Sequence, residues 1–290
     1  MNFSSPALIL SLLSAVSAGI AWLFVTKATR DMEVFELQFV FQLIGIPPLL
    51  LLPFVLRGVV TLHGTSAFNF PLLIGIGVLQ TFAFSLYFYA LKIGKLAIVV
   101  PINQAYILVP ISLAVVFLQE VIYPLKIFGI LAILVGVIFL GFNLKSSDST
   151  ISPYKGVFPA LVSSIGIGLF AFLLSISSRI NGWYYTSLGV RIIIPSTILV
   201  ILFVKKRNII KIFTHVPWKW VIPAALFDTL AFSLVNFSLA RYEVSYVAAI
   251  IATTPVVSTS LAILFLKERL QFYQWIGFLL VIAGLVSLNV

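Results

Sequence analysis

Ten runs of about twenty mostly apolar residues divide this sequence, and they limit what it can fold into. They cover residues 6–26, 37–56, 70–91, 96–118, 121–142, 156–176, 184–204, 220–239, 244–266 and 272–290. A helix needs about 20 apolar residues to cross the hydrocarbon core of a bilayer. The runs do not alternate apolar and polar residues, as the ~10-residue strands of a membrane barrel do. The expected fold class is therefore an all-α, polytopic membrane protein. Charged residues make up only 9% of the chain, against roughly 25% in a soluble domain. The longest connections, 57–69, 143–155 and 205–219, leave no room for a water-soluble domain.

The absence of cysteine rules out a disulfide framework, a thiol nucleophile and a thiolate metal site. Lys and Arg number 18 against 8 Asp and Glu. The basic residues sit mostly between the apolar runs, where they set topology, and they form no aromatic-interleaved surface for nucleic acid. No Lys or Arg precedes the first run, which continues to Thr26. It is expected to stay as a membrane helix and not to be cleaved as a signal peptide.

The hexapeptide TFAFSL at 81–86 returns as TLAFSL at 229–234, 148 residues further on. At the same offset, residues 81–140 align without a gap on 229–288. Identical pairs include Ala83/Ala231, Phe84/Phe232, Ser85/Ser233, Glu120/Glu268, Gly129/Gly277 and Gly136/Gly284. Apolar composition alone would not keep a glutamate and two glycines in register. Spans one and two align more faintly with six and seven at a shift of about 150, through Ala21/Ala171 and Trp22/Phe172. The chain thus reads as a duplicated unit, residues 1–146 and 147–290, with five spans in each. An odd number of spans makes the second copy enter the membrane from the opposite side. The expected architecture is ten transmembrane helices in two inverted five-helix repeats, a pattern that recurs in secondary transporters.

With five spans plus five, the chain resembles the drug/metabolite transporter superfamily in its EamA-like ten-helix branch. The resemblance is carried by LAVVFLQEVIYPLKIFGILAILVGVIFL at 113–140 and LAILFLKERLQFYQWIGFLLVIAGLVSL at 261–288. Each shows an apolar helix, a Glu, a short polar turn with an aromatic, and a helix with two glycines seven apart. Glu120, Glu268, Trp275 and the four glycines fit that pattern, which says little about substrate.

Polar residues inside the spans are the functional candidates, because a charge at a helix centre costs at least about 2.5 kcal/mol. Asp228 is near the middle of span eight. It either lines a cavity, binding a substrate group or a proton, or serves structure as a paired or protonated carboxyl. Phe232 and Asn236 follow it at four-residue steps on one stripe. Gln80, Phe84 and Phe88 form the related stripe in span three. Arg191, in span seven, either snorkels to an interface, or captures a substrate carboxylate or pairs with Asp228. Asn103, Tyr106 and Pro110 share a face of the proline-interrupted span four. Thr254 stands beside Pro255 in the matching break of span nine. Trp22 is a pocket aromatic, or an interfacial or packing one.

The candidate substrate-binding set is therefore Trp22, Gln80, Phe84, Asn103, Tyr106, Arg191, Asp228, Phe232, Asn236 and Thr254. The glycine pairs read as helix-packing sites, and Glu120 and Glu268 as helix caps. No GxxxxGK[ST] segment, HExxH or close His/acid cluster occurs in the sequence. No catalytic residue, metal or cofactor is assigned. The expected function is a secondary transporter or exporter, not an enzyme. It would move a small metabolite, such as an amino acid or a related amphipathic solute, by alternating access, with a coupling proton as an option. The expected setting is a prokaryotic cell membrane, with the lipid bilayer and the substrate as partners, no nucleic acid, and a monomeric or weakly oligomeric state. The rivals are an intramembrane lipid-modifying enzyme and a multidrug or lipid exporter of the same fold.

Overall fold

The computed structural model describes residues 5–28, 32–55, 69–93, 99, 102–103, 105–141, 156–254, 256–257, 260 and 272–287. Within them the chain is helical. In hydrocarbon no water is present to bond exposed backbone groups, so each segment has to satisfy its own. The helices are α1 (Ser5–Ala28), α2 (Val34–Val55), α3 (Phe70–Ile93), α4 (Leu108–Leu118), α5 (Pro124–Gly141) and α6 (Val157–Ile180). They continue with α7 (Trp183–Val204), α8 (Ile209–Thr214), α9 (Trp218–Arg241), α10 (Val244–Ile251) and α11 (Phe272–Ser287). Six of these, α1, α2, α3, α6, α7 and α9, contain a stretch long and apolar enough to cross a membrane, and shorter apolar helices cover Ala105–Leu118, Pro124–Phe139 and Phe272–Ser287.

The interruption read in span four takes the form of a 3-10 turn, Ala105–Ile107, running into α4. Pro110 falls in the first turn of α4, where a missing N–H costs little. Helix α10 stops at Ile251, and the N–H of Thr253 reaches back three residues to the Ile250 carbonyl at 3.0 Å. The matching proline, Pro255, lies outside the described residues, as do Pro101, Gln104, Ser258 and Glu268. The connection 205–219 contains a helix that periodicity did not reveal, α8. It is capped by the Asn208 side chain, which accepts from the N–H groups of Ile210 and Lys211.

The helices pack in reciprocal pairs. In the repeat register α1, α2, α3, α4 and α5 correspond to α6, α7, α9, α10 and α11. Helix α1 packs on α9, and correspondingly α6 on α3. Helix α2 packs on α9 and α7 on α3, while α4 packs on α6 and α10 on α1. Three contacts, α2 with α7, α4 with α10 and α5 with α11, correspond to themselves. A Cβ on Gly136 would lie 2.6 Å from the carbonyl oxygen of Gly277, and one on Gly284 would lie 2.6 Å from that of Gly129. The rising number on one helix meets the falling number on the other, so α5 and α11 run antiparallel in backbone contact. Helices α1 and α9 do the same: Ser14 Oγ donates to the Ala231 carbonyl at 2.8 Å, and Ser17 Oγ to that of Phe227 at 2.7 Å.

The bundle has two distinct ends. At one, the Asn69 N–H donates to Asn181 Oδ1 at 2.7 Å, and Arg179 donates to the carbonyls of Leu239 and Tyr242 at 3.2 and 2.8 Å. At the other, where α1 ends and α2 begins, Glu33 pairs with Arg207 at 2.7 Å and with Lys205 at 3.9 Å. Between the ends, large apolar side chains such as Phe82, Ile165 and Leu230 point outward. A chain bound for hydrocarbon solvent places them there at no cost.

Candidate functional site

Arg191 is the ninth residue of α7 and Gln42 the ninth of α2, two helices of equal length that pack together. Nη1 of Arg191 donates to Gln42 Oε1 at 2.6 Å, and Nη2 donates to Oδ2 of Asp228, near the middle of α9. The guanidinium also lies near two rings, 5.9 Å from the Phe41 centroid and 5.3 Å from that of Phe232. An unpaired guanidinium would be costly at this depth, so charge pairing and cation–π contact replace its hydration. Snorkelling is ruled out by this placement, because Arg191 is only 1% exposed. Gly45 makes room for it: a Cβ there would lie 3.1 Å from Arg191 Nη1 and 2.6 Å from Thr229 Oγ1.

The carboxylate partner behaves differently. The side chain of Asp228 is 28% exposed, against 2% for that of Arg191. Asp228 opens onto a cavity of about 200 Å³ lined by residues of α1, α2, α3, α6, α7 and α9. Trp22, Phe41, Phe84, Phe88, Phe170 and Phe232 supply its aromatic surface, and Gln38, Gln42 and Gln80 supply amides. The lining runs from the Arg191–Asp228 pair at mid-height to Val25, Val34 and Leu37, close to the end that carries Glu33. A solute entering there would meet aromatic faces, amide groups and a carboxylate whose charge Arg191 balances.

Six of the ten candidate residues line this one cavity: Trp22, Gln80, Phe84, Arg191, Asp228 and Phe232. The other four lie elsewhere. Asn103 is buried and donates to Ser163 Oγ at 3.1 Å. Tyr106 belongs to the 3-10 turn, whose backbone passes close to Gly168 of α6. Asn236 is wholly buried one turn beyond Phe232, towards the Asn69–Asn181 end. It accepts from Ser178 Oγ at 2.9 Å and donates to the Phe232 carbonyl. Thr254 turns its hydroxyl back onto the Ile251 carbonyl at 2.6 Å. In each of the last two, a local backbone or side-chain partner takes the polar group that the stripe pattern had offered to a cavity.

Sequence reading missed Phe41, Gln38 and Gln42, all on α2, together with Phe170. A signal for two of them existed: Gln38 and Gln42 are one turn apart in ELQFVFQL. The span expected from Leu37 puts both within its first two turns. The helix begins at Val34 and brings Gln42 level with Arg191.

An all-helical membrane bundle with a polar, aromatic-walled cavity at mid-depth is an architecture that solute transporters use. The sequence matches the EamA-like transporter family twice, over residues 5–142 and 154–290, and the chain belongs to that family. A solved structure titled only as the crystal structure of a protein is similar in fold. It superposes with a TM-score of 0.76 at 18% identity, covering 97% of this chain and 94% of its own. No curated protein matches the sequence.

Proposed function

We propose that this protein is a secondary transporter that carries a small amphipathic metabolite, such as an amino acid or a related solute, by alternating access. In this reading it crosses a prokaryotic cell membrane ten times, as two inverted five-helix repeats over residues 1–146 and 147–290. The antiparallel glycine contact of α5 with α11 and the reciprocal helix pairs support the inversion. The observation that carries the proposal is the cavity itself. It holds the Arg191–Asp228 pair at mid-depth and, among the described residues, its lining extends to one end of the bundle only. Its volume of about 200 Å³ is below the roughly 300–1,000 Å³ of pockets that take drug-sized ligands. That favours a small metabolite over a multidrug or lipid cargo. The aromatic walls suit an apolar side chain. The amides and the exposed carboxylate suit a polar head, and Asp228 is the group placed to take a coupling proton.

The test is counterflow in vesicles reconstituted with the purified protein and loaded with one unlabelled amino acid at a time. Uptake of the labelled solute, recovered chemically unchanged, is the expected result. A solute recovered as a modified product would point to the intramembrane enzyme instead. Counterflow of lipophilic cations with none of amino acids would point to a multidrug exporter.

A further inference from the structure

The connection between α4 and α5 reaches across the boundary between the two repeats. Gln119, just past the end of α4, takes the left-handed conformation, φ 58° and ψ 31°, and the chain turns sharply there. A residue with a side chain is rarely placed in that region without a reason. The turn brings the Glu120 carboxylate of the first repeat to the N-terminus of α10 in the second. Oε1 accepts the Val244 N–H at 2.7 Å. Oε2 accepts the Ser245 N–H at 3.1 Å and the Ser245 hydroxyl at 2.6 Å. Six residues on, Lys126, only 5% exposed, pairs with Glu243, the residue before α10. A carboxylate facing the free N–H groups of a helix start is favoured by charge and by geometry. Here the helix it caps belongs to the other half of the chain.

This contact lies at the end of the bundle that the cavity does not reach. Val244 follows directly on the Leu239–Tyr242 segment held by Arg179. The Asn69–Asn181 bond, also between the repeats, is at the same end. Among the described residues, ion pairs between the repeats at the cavity end join Glu33 and Glu36 to Lys205 and Arg207, and both basic side chains are about half exposed. Exposed pairs hold weakly, whereas charge-assisted bonds removed from water hold better. One end is thus tied by partly buried bonds, and the end near the cavity by pairs that water can replace.

We infer that Glu120 is the positioning residue that keeps the far end closed. Its cap on α10, seconded by the Lys126–Glu243 pair, sets how often the cavity is presented to the opposite face. The inference rests on the alternating-access reading above. Releasing the cap lets α10 and the α9–α10 junction separate from the α4–α5 connection, and the same movement of one repeat against the other closes the present mouth.

The experiment uses the full chain in lipid nanodiscs, with spin labels on cysteines at Tyr123 and Ile180. Both are exposed at the tied end, one in each repeat. A parallel sample carries Gln38→Cys in the mouth of the cavity and reports its rate of reaction with a charged thiol reagent. The wild-type background should give one short distance. Glu120→Gln should add a longer-distance population and slow the Gln38→Cys reaction several-fold. Ser245→Ala, which removes one bond of three, should shift both in the same direction but less, and it decides the matter if Glu120→Gln fails to fold. An unchanged distance in the variants would overturn the inference. So would a longer distance with faster Gln38→Cys labelling, because a merely loosened bundle opens at both ends and an exchanging one does not. Counterflow by wild-type protein in the same lipid reads the transporter proposal separately.

Discussion

Arg191 gives one arm of its guanidinium to Asp228 and the other to Gln42, and among the described residues it is the largest side chain wholly buried. The two charges differ in their access to solvent, and the consequences of removing them differ accordingly. Asp228→Asn leaves a guanidinium buried without a counter-charge, a change that typically costs about 3–5 kcal/mol. Arg191→Met leaves a carboxylate that opens on the cavity and can hydrate. Thermal unfolding in detergent should therefore rank Asp228→Asn as the less stable variant. The double variant Asp228→Asn/Arg191→Met should recover part of the loss. Equal melting temperatures for the two single variants would show that the asymmetry in burial does not matter.

The contact between α5 and α11 makes a sharper structural prediction. A methyl group at Gly284 or Gly136 would meet a backbone carbonyl 2.6 Å away, which no side-chain rearrangement relieves. Overpacking of this kind typically costs about 1–3 kcal/mol. Gly284→Ala and Gly136→Ala should each lower the melting temperature measured by size-exclusion fluorescence. Gly75→Ala is the control. Its Cβ would meet nothing within 4 Å, and alanine favours a helix over glycine by about 1 kcal/mol. Gly75→Ala should melt at or above the wild-type temperature.

The same glycines mark what was legible in the sequence. A seven-residue Gly–Gly spacing repeated 148 residues on could be read directly as a helix-packing site, and the structure shows that the two glycine faces pack on each other. The helical class was legible because the apolar runs are long and hydrocarbon allows an isolated segment few alternatives. The site was half legible. Asp228, Arg191 and Gln80 stand out because a polar residue in an apolar run needs a reason. Phe41 and Phe170 do not, because an aromatic in such a run is ordinary. Asn236 and Thr254 show the converse limit. They satisfy the stripe pattern, yet their polar atoms are taken by partners one turn away or on a neighbouring helix. Helix α8 escaped because its signal is a single capping asparagine ahead of six residues.

Orientation follows from charge. Of the 18 Lys and Arg residues, 13 fall in the odd-numbered connections of the sequence, among them Lys205, Lys206, Arg207, Lys211 and Lys219, which the structure places at the cavity end of the bundle. Four, Arg57, Lys126, Arg179 and Arg241, fall in or beside the even-numbered connections of the sequence, and Arg191 lies within a span. Basic residues close to helix ends favour the cytoplasm, so the expected orientation has the cavity mouth facing inward and both termini facing outward. A C-terminal reporter that works only in the cytoplasm should stay inactive. An active one would reverse the direction in which this conformation is open and leave the fold untouched.

The central claim is that the space around Arg191 and Asp228 is a solute path and not a packing defect. The chain contains no cysteine, so a single one can be placed at Gln80, at mid-height in the lining, and another at Leu279 on the outer face of α11, which is 64% exposed to the membrane side. The reaction of each with a charged, water-soluble thiol reagent is then followed in nanodiscs, with and without the amino acid that gives counterflow. The account predicts that Gln80→Cys reacts several-fold faster than Leu279→Cys and that the amino acid slows it. Equal rates at the two positions, unaffected by the amino acid, would contradict it.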